Sequence, residues 1–145
     1  MIGFLQRVRS AAVHVDEQCV GRIDAGLLVL VGVEKADGDA QAERLLQRLL
    51  AYRVFADEQG RMNLSLADTG GGLLLVPQFT LAADTRKGNR PSFAAAAPPP
   101  VARQLFEELL TRARQRYPQV ASGSFGADML VSLVNDGPVS FWLQT

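Results

Sequence analysis

The sequence predicts an α+β fold, in which two helices pack against a mainly antiparallel sheet or partial β-barrel. Roughly six segments follow the two-residue or continuous apolar pattern of β-strands, and two longer segments follow the helical period. The helical segments are segregated from the strands, an arrangement typical of α+β domains.

Size and composition predict one folded domain, residues 1–145. The hydrophobic fraction of 48% is ample for a core, and the charged fraction of 21% suffices for a soluble surface. The longest apolar run, Leu27 to Val33, is too short to cross a bilayer. Cys19 is the single cysteine, so no internal disulfide is expected and a reducing compartment is favoured. We therefore expect a cytoplasmic protein with no membrane partner.

The charge balance limits how much nucleic acid the chain can contact. Fifteen Lys and Arg residues stand against fifteen Asp and Glu residues, which gives a formal net charge of zero. Proteins that grip long nucleic acids are usually basic, because phosphate contacts supply much of the affinity. A small footprint, such as one end of an RNA, stays open.

The N-terminal quarter predicts a β-meander. Residues Ala11 to Asp16 alternate apolar and polar side chains, the period of a half-buried strand. A turn at residues 16–18 leads into a second strand, Cys19 to Ile23. The continuous apolar run Leu27 to Val33 is typical of a strand buried on both faces.

The middle of the chain predicts a helix and a further buried strand. Asp37 and Asp39 are candidate N-caps of a helix that runs to about Arg53. Its apolar positions recur at helical spacing: Ala42, Leu45, Leu46, Leu49 and Leu50. Residues 56–72 are rich in turn signals. Leu73 to Val76 predicts a buried strand, which Pro77 ends because proline cannot donate to a ladder.

The remaining elements follow a long irregular segment, Gln78 to Pro100, of a length that is usually functional inside a domain. Prolines 98–100 open a second helix, which Pro118 ends. The inner stripe of this helix is Leu105, Phe106, Leu109, Leu110 and Ala113. Met129 to Val134 and Val139 to Leu143 predict two last strands joined by a turn.

Conventional catalytic and cofactor motifs are absent from the sequence. His14, the single histidine, lies on the polar face of a predicted strand with no serine or cysteine motif tied to it, so we expect a surface residue and no Ser-His-Asp triad. Cys19 predicts a small buried hydrophobe rather than a reactive thiol. No metal-binding helix, phosphate loop or dinucleotide fingerprint occurs, so no metal and no cofactor are expected.

Two short motifs remain as candidates for function. Gln78-Phe79-Thr80 directly follows a buried strand, and a strand end fixes reactive groups in place. The alternative is a plain strand-to-loop transition with Phe79 in the core. Gly137-Pro138 contains an X-Pro bond, which adopts the cis form at low cost. Its alternative is an ordinary hairpin turn.

In this order and context, the motifs resemble those of the D-aminoacyl-tRNA deacylase family over essentially the whole chain. The most specific are Gln78-Phe79-Thr80-Leu81 and the closing segment of residues 131–139, Val-Ser-Leu-Val-Asn-Asp-Gly-Pro-Val. Residues 6–8, 26–30, 32–34, 62–64 and 87–93 also match. Two positions depart from the family pattern: Pro77 replaces a usual serine, and Ser140 replaces a usual threonine but keeps the hydroxyl.

The resemblance implies a homodimer that hydrolyses D-aminoacyl-tRNA, and also glycyl-tRNA mischarged on tRNA(Ala). Each active site would be completed by the Gly-cis-Pro turn of the partner chain, here Gly137 and Pro138. Their backbone carbonyls would occupy the space that an L side chain needs. A main-chain wall cannot change rotamer to make room, so it suits a chirality filter.

The resemblance also assigns residues to the substrate. Gln78, Phe79 and Thr80 would surround the aminoacyl group and terminal adenosine, with Phe125 and Met129 lining the pocket. The N–H groups of Phe79 and Thr80 would stabilise the oxyanion. The 2′-hydroxyl of the terminal adenosine would help to activate water.

Three further alternatives stay open. Arg86, Lys87 and Arg90 in the long loop, with Arg7 near the N-terminus, are candidates for binding the acceptor end of tRNA, or are simply a solvated surface. The chain could be a non-catalytic nucleic-acid-binding dimer of the same fold. It could also be a hydrolase that uses the Thr80 hydroxyl covalently on another ester, although no base stands beside this residue in the sequence.

Overall fold

The computed structural model of the chain describes residues 1–145 and contains eight strands, three α-helices and one 3₁₀ helix. The strands are β1 (Ile2–Val15), β2 (Gln18–Ile23), β3 (Gly26–Gly32), β4 (Phe55–Ala56), β5 (Met62–Leu64), β6 (Gly72–Pro77), β7 (Val120–Ser122) and β8 (Leu130–Gln144). The α-helices are α1 (Asp39–Ala51), α2 (Leu66–Thr69) and α3 (Pro99–Arg116), and the 3₁₀ helix is η1 (Phe79–Ala82). None of the helices has the length and apolar character that crossing a membrane requires.

Strand β1 organises the sheet. Its C-terminal half pairs with β2, its N-terminal half with β3, and nearly its whole length with β8, all antiparallel. β6 then joins β3, and β7 joins β6, as parallel neighbours. The sheet curls into a nearly closed barrel with a seam between β2 and β7, where Gly21 lies against the Ser122 carbonyl. The predicted α+β class with a partial barrel is confirmed, with two parallel ladders within the largely antiparallel sheet.

Strands β3 and β6 separate two hydrophobic cores, which is why both read as continuous apolar runs. Leu28 and Leu74 face the barrel interior, whereas Leu27 and Leu73 face the helices. The barrel core consists of Val8, Ala11, Val13, Ile23, Leu28, Leu74 and Val76. The larger core packs the other face of the sheet against α1 and α3, whose buried positions follow the predicted helical stripes.

The largest differences from the sequence predictions concern the two long strands. β1 begins at Ile2 instead of Ala11, because pairing with both β3 and β8 stabilises a segment whose own pattern is weak. β8 is one strand that pairs with β1 throughout, so the predicted hairpin turn at Gly137-Pro138 is wrong. Between Asn135, opposite Val8, and Ser140, opposite Gln6, the chain forms a bulge instead. A bulge and a hairpin use the same turn residues, and only the pairing partner distinguishes them.

Smaller corrections concern caps, turns and burial. Gly38, not Asp37 or Asp39, caps α1, and its N–H donates to Gln41 Oε1 at 3.0 Å. The turn-rich residues 56–72 include β5 and the short helix α2. Cys19 is exposed rather than buried, because it lies in the outward-facing first half of β2.

Candidate active site

Strand β6 delivers the predicted motif to the end of the sheet. Pro77 is its last residue, and the next N–H, that of Gln78, donates to the Val31 carbonyl of β3 at 2.8 Å. The chain then turns into η1, and Gln78 Nε2 donates to Thr80 Oγ1. The two side chains flanking Phe79 are therefore fixed to one another.

The N–H groups of Phe79 and Thr80 are used neither by the β6 ladder nor by η1. Both lie in the first turn of η1, where a helix leaves its N–H groups without an intrahelical partner. Two adjacent donors beside a cavity suit an oxygen that carries negative charge. This arrangement is the chemical feature that distinguishes the loop after β6.

Phe79 lines an aromatic cavity of about 560 Å³, and Gln78 and Thr80 are not among the lining residues. Phe79 is 60% exposed, so the alternative that placed it in the core is wrong, and its ring centroid lies 5.1 Å from that of Phe93. Phe125 contributes a third ring to the lining, which is completed by Lys35, Gly126 and small residues of the 96–102 segment. The cavity is therefore flat-walled and mostly apolar.

Phe125 is positioned by helix α3. The Arg103 guanidinium lies 4.9 Å from its ring centroid and donates to its carbonyl oxygen at 3.3 Å. Phe106 packs against the same ring, with 6.3 Å between centroids. Met129, expected in the pocket, lies elsewhere: it packs on the barrel core, and its sulfur accepts from the Ser124 N–H at 3.3 Å.

Gly137 and Pro138 do not reach this cavity within the same chain. Both are exposed on β8, and the peptide bond between them is cis. The segment is held by Arg7, whose Nε donates to the Asp136 carbonyl at 2.9 Å and whose Nη1 donates to the Val54 carbonyl. The Arg7 side chain is only 15% exposed, and the tRNA contact expected of it stays a prediction.

The other expected tRNA-binding residues differ in their surroundings. Arg86 forms an ion pair with Asp84 at 2.7 Å, and its hydrogen bonds hold the pKa of that carboxyl far below its usual range. Lys87 and Arg90 are exposed in the same loop. The tRNA-binding role of all three stays a prediction.

Sequence reasoning missed Lys35 and Arg103, which border the aromatic cavity. Lys35 lies shortly after β3, much as Gln78 follows β6, and the two strands are parallel. Parallel neighbours end at the same sheet edge, so this pairing would have brought Lys35 to the motif. Nothing in the pattern of α3 marks Arg103, because its importance depends on where Phe125 lies.

His14 and Cys19 are remote from the motif in the fold. They face each other across β1 and β2 and line a different cavity, with Arg22 and Ser132 among its other residues. His14, expected at the surface, is half-buried, and its lack of a catalytic role stays a prediction.

Known proteins resemble the chain over nearly its whole length. The family model described as D-Tyr-tRNA(Tyr) deacylase matches residues 4–144. A D-aminoacyl-tRNA deacylase of Pseudomonas putida is 65% identical over 144 residues, which is 99% of each chain. One of Thioalkalivibrio sulfidiphilus is 63% identical, covering 99% of this chain and 97% of the relative.

Two solved structures share the fold. A protein described as c-Myc DNA Unwinding Element Binding Protein superimposes with a TM-score of 0.95 at 35% identity, covering 100% of this chain and 99% of that one. A probable eukaryotic D-amino acid tRNA deacylase gives a TM-score of 0.79 at 18% identity, covering 99% of this chain and 98% of that one. The second likeness is one of fold alone.

The Arg7 hydrogen bonds that hold the Gly137-Pro138 segment lead to a prediction about stability. Replacing Arg7 with Met leaves two part-buried carbonyls without their charged donor, so we expect a loss of about 2 kcal/mol or more in the free energy of unfolding. Arg9→Met is the matched control, since Arg9 contacts the same Asp136 but is 76% exposed, and its loss should stay within about 0.5 kcal/mol. Urea unfolding measures the free energy of unfolding of both variants. Equal losses would contradict the conclusion that Arg7 holds the segment in place.

Proposed function

Because the chain belongs to the D-Tyr-tRNA(Tyr) deacylase family, we propose that it hydrolyses the ester bond of D-aminoacyl-tRNA and releases the D-amino acid and free tRNA. The observation that carries the proposal is the pair of unused N–H groups of Phe79 and Thr80 at the start of η1, where Phe79 also lines an aromatic cavity. An ester carbonyl seated here develops negative charge on its oxygen during hydrolysis. N–H donors that are fixed in place before the reaction stabilise such a charge more in the transition state than in the ground state.

The cavity accommodates the end of the tRNA. The terminal adenosine lies among the rings of Phe79, Phe93 and Phe125, and base–aromatic stacking contributes about 1–3 kcal/mol for each base. Gln78 and Thr80 lie on the side of the aminoacyl group. Only the acceptor end is held, which is compatible with a formal net charge of zero.

Catalysis is assisted by the RNA. Neither Gln78 nor Thr80 carries a group that takes up a proton at neutral pH, and the Thr80 hydroxyl accepts its hydrogen bond from Gln78. An unactivated hydroxyl is a poor nucleophile. We therefore assign water activation to the vicinal 2′-hydroxyl of the terminal adenosine, while the protein supplies geometry and the oxyanion donors.

The stereochemical filter is the Gly137-Pro138 segment of a second chain. In one chain these residues are exposed and lie outside the cavity, so only a partner's copy can complete the site. Its main-chain carbonyls stand where an L side chain would point, whereas a D side chain points away. Arg7 makes the segment rigid by holding the Asp136 carbonyl. Glycyl-tRNA mischarged on tRNA(Ala) is also a substrate, because glycine has no side chain to exclude.

The surface of β8 supports a homodimer. Large apolar side chains are exposed along this strand, including Leu130 at 78%, Val134 at 53% and Trp142 at 51%. Contiguous apolar surface on a sheet strand marks an interaction site. A two-fold symmetric partner buries this strand and brings each Gly137-Pro138 segment to the other chain's cavity. Such an enzyme works in the cytoplasm, where aminoacyl-tRNA is used.

The second candidate is a nucleic-acid-binding protein without catalysis, which the similarity to the c-Myc DNA Unwinding Element Binding Protein favours. The zero net charge argues against it as the main role, because non-specific binding depends on phosphate neutralisation. The deacylation assay below decides between the two.

The direct test is hydrolysis of matched substrates by the unmodified protein. We expect loss of the ester from D-aminoacyl-tRNA and glycyl-tRNA, while L-alanyl-tRNA is spared. Rejection by a rigid wall should exceed the ~1–3 kcal/mol that one methylene contributes in a hydrophobic pocket. Release of labelled amino acid measures each rate. Equal rates on glycyl- and L-alanyl-tRNA would rule out the filter, and no loss from any substrate would rule out the activity.

Dimerisation is tested by adding charge to β8. Leu130→Asp combined with Val134→Asp should shift the protein to monomer in sedimentation equilibrium and lower the deacylation rate by ~10²-fold, the cost of misplacing one well-positioned group. Gln115→Asp, on the exposed face of α3, adds one negative charge away from β8 and should change neither. A monomer with full activity would show that the partner contributes nothing to the site.

The source of catalysis is tested from both sides of the reaction. Thr80→Ala keeps the backbone donors, so we expect its rate to remain within about tenfold of the parent. A substrate ending in 2′-deoxyadenosine, charged on the 3′-oxygen, should react ~10²–10³-fold more slowly. His14→Ala controls for unspecific effects of substitution. An inactive Thr80→Ala protein together with normal cleavage of the deoxy substrate would identify Thr80 as the nucleophile.

A further inference from the structure

Two cations at the rim of the aromatic cavity have no role in the function proposed so far. We propose that Lys35 and Arg103 bind the phosphates on the 5′ side of the terminal nucleotide. The aromatic rings inside the cavity then hold the base of a single-stranded RNA, and the cations at its rim hold the phosphates. The inference rests on the proposed function and adds the residues that recognise RNA beyond the terminal nucleoside.

The lining of the cavity separates base from phosphate. Its interior is formed by the Phe79 and Phe93 rings, by Phe125 and by small residues such as Ala97 and Ala102. Such walls suit a flat base, but they offer an anionic phosphate no compensation for lost water. The phosphates of a bound strand therefore stay at the rim, where Lys35 and Arg103 lie.

The start of α3 offers little backbone for a phosphate, which leaves the task to side chains. Helix starts often bind anions through free N–H groups. Here residues 98–100 are prolines and have no N–H, and the Ala102 N–H already donates to the Pro98 carbonyl at 2.9 Å. Val101 alone retains an unused N–H in this first turn.

Both cations are attached to the cavity wall. Arg103 is held over the Phe125 ring at 4.9 Å and by its bond to the Phe125 carbonyl. Its other contact, with Glu107 at 3.9 Å, is exposed and therefore weak. The Lys35 N–H donates to the Ala95 carbonyl at 3.0 Å, which fixes its backbone beside the cavity and leaves its ammonium exposed.

Two of the four basic residues expected from the sequence, Arg7 and Arg86, are less favourably arranged. The Arg7 guanidinium is engaged by the Asp136 and Val54 carbonyls, and Arg86 is paired with Asp84. A phosphate would have to displace these partners. Lys35 and Arg103 bind without breaking a comparable ion pair.

The experiment compares substrates with and without phosphates. Lys35→Met and Arg103→Met are assayed on D-aminoacyl-tRNA and on the D-aminoacyl ester of adenosine, which carries no phosphate. We expect kcat/KM on tRNA, relative to that on the adenosine ester, to fall by about 5-fold for each variant. The slope of log kcat/KM against log salt should become shallower by about 0.7 for each contact removed. Arg103→Lys should retain the parent's slope.

Arg114→Met is the matched control, because Arg114 is exposed on the same helix but far along it from the cavity. It should change neither the substrate ratio nor the salt slope. Equal losses on both substrates would overturn the proposal, since they would mean that Lys35 and Arg103 only shape the cavity. An unchanged kcat/KM on both substrates would overturn it as well.

Binding separates this inference from the proposed function. Fluorescence anisotropy with a labelled single-stranded RNA trinucleotide ending in adenosine requires no turnover. Weaker trinucleotide binding by Lys35→Met and Arg103→Met, with no comparable loss for adenosine, would support the contacts even if the parent cleaved no ester. If the parent cleaves the ester but Lys35→Met and Arg103→Met bind the trinucleotide as tightly as the parent does, the phosphate contacts are contradicted. The proposed function would be unaffected by that result.

Discussion

The parallel pairing of β3 with β6 is the constraint on which the rest of the structure depends. Leucine and valine side chains on both faces of these strands bury them between the barrel core and the helix-facing core. The pairing starts where Gly26 meets Gly72 so closely that an added Cβ would lie 2.0 Å from the Gly72 carbonyl oxygen. With the register set there, both strands end at one edge. That edge receives Gln78 from β6 and Lys35 from β3.

A chain with a net charge of zero can still bind an anion, because some of its cationic side chains are paired with carboxylates and others are not. Arg112 and Arg116 of α3 pair with Asp39 and Glu43 at the start of α1, and these contacts join the two helices over the core. Hydrogen bonding to Arg116 holds the pKa of Glu43 below its usual value. Cations used in this way offer nothing to a ligand. Lys35 and Arg103 at the cavity rim are not held in comparable ion pairs, so they can bind an anion. The net charge of the whole chain therefore does not predict where an anion binds.

Much of the fold was predictable because burial leaves periodic traces. β3, β6 and α3 follow from their apolar patterns, and Gln78-Phe79-Thr80 is a candidate site through its position after a strand together with the family resemblance. β1 before Ala11 was not found, since its partners stabilise it and they are distant in sequence. The prediction that Cys19 is buried is wrong, because residue type indicates only an average environment. Arg103 was missed since its position matters only through Phe125, a contact between α3 and the loop after β7.

Strand β8 carries both the exposed apolar side chains and the Gly137-Pro138 bulge, and this shared location has a consequence for fidelity. Under the proposed assembly, the same association step that hides the apolar strand also installs the stereochemical wall. A lone chain would keep the oxyanion donors and the aromatic cavity but lack the wall, so whatever hydrolysis remained would not discriminate between mirror images. Accuracy is then a property of the assembled pair. Substitutions that weaken the contact between the two chains would therefore lower discrimination along with activity.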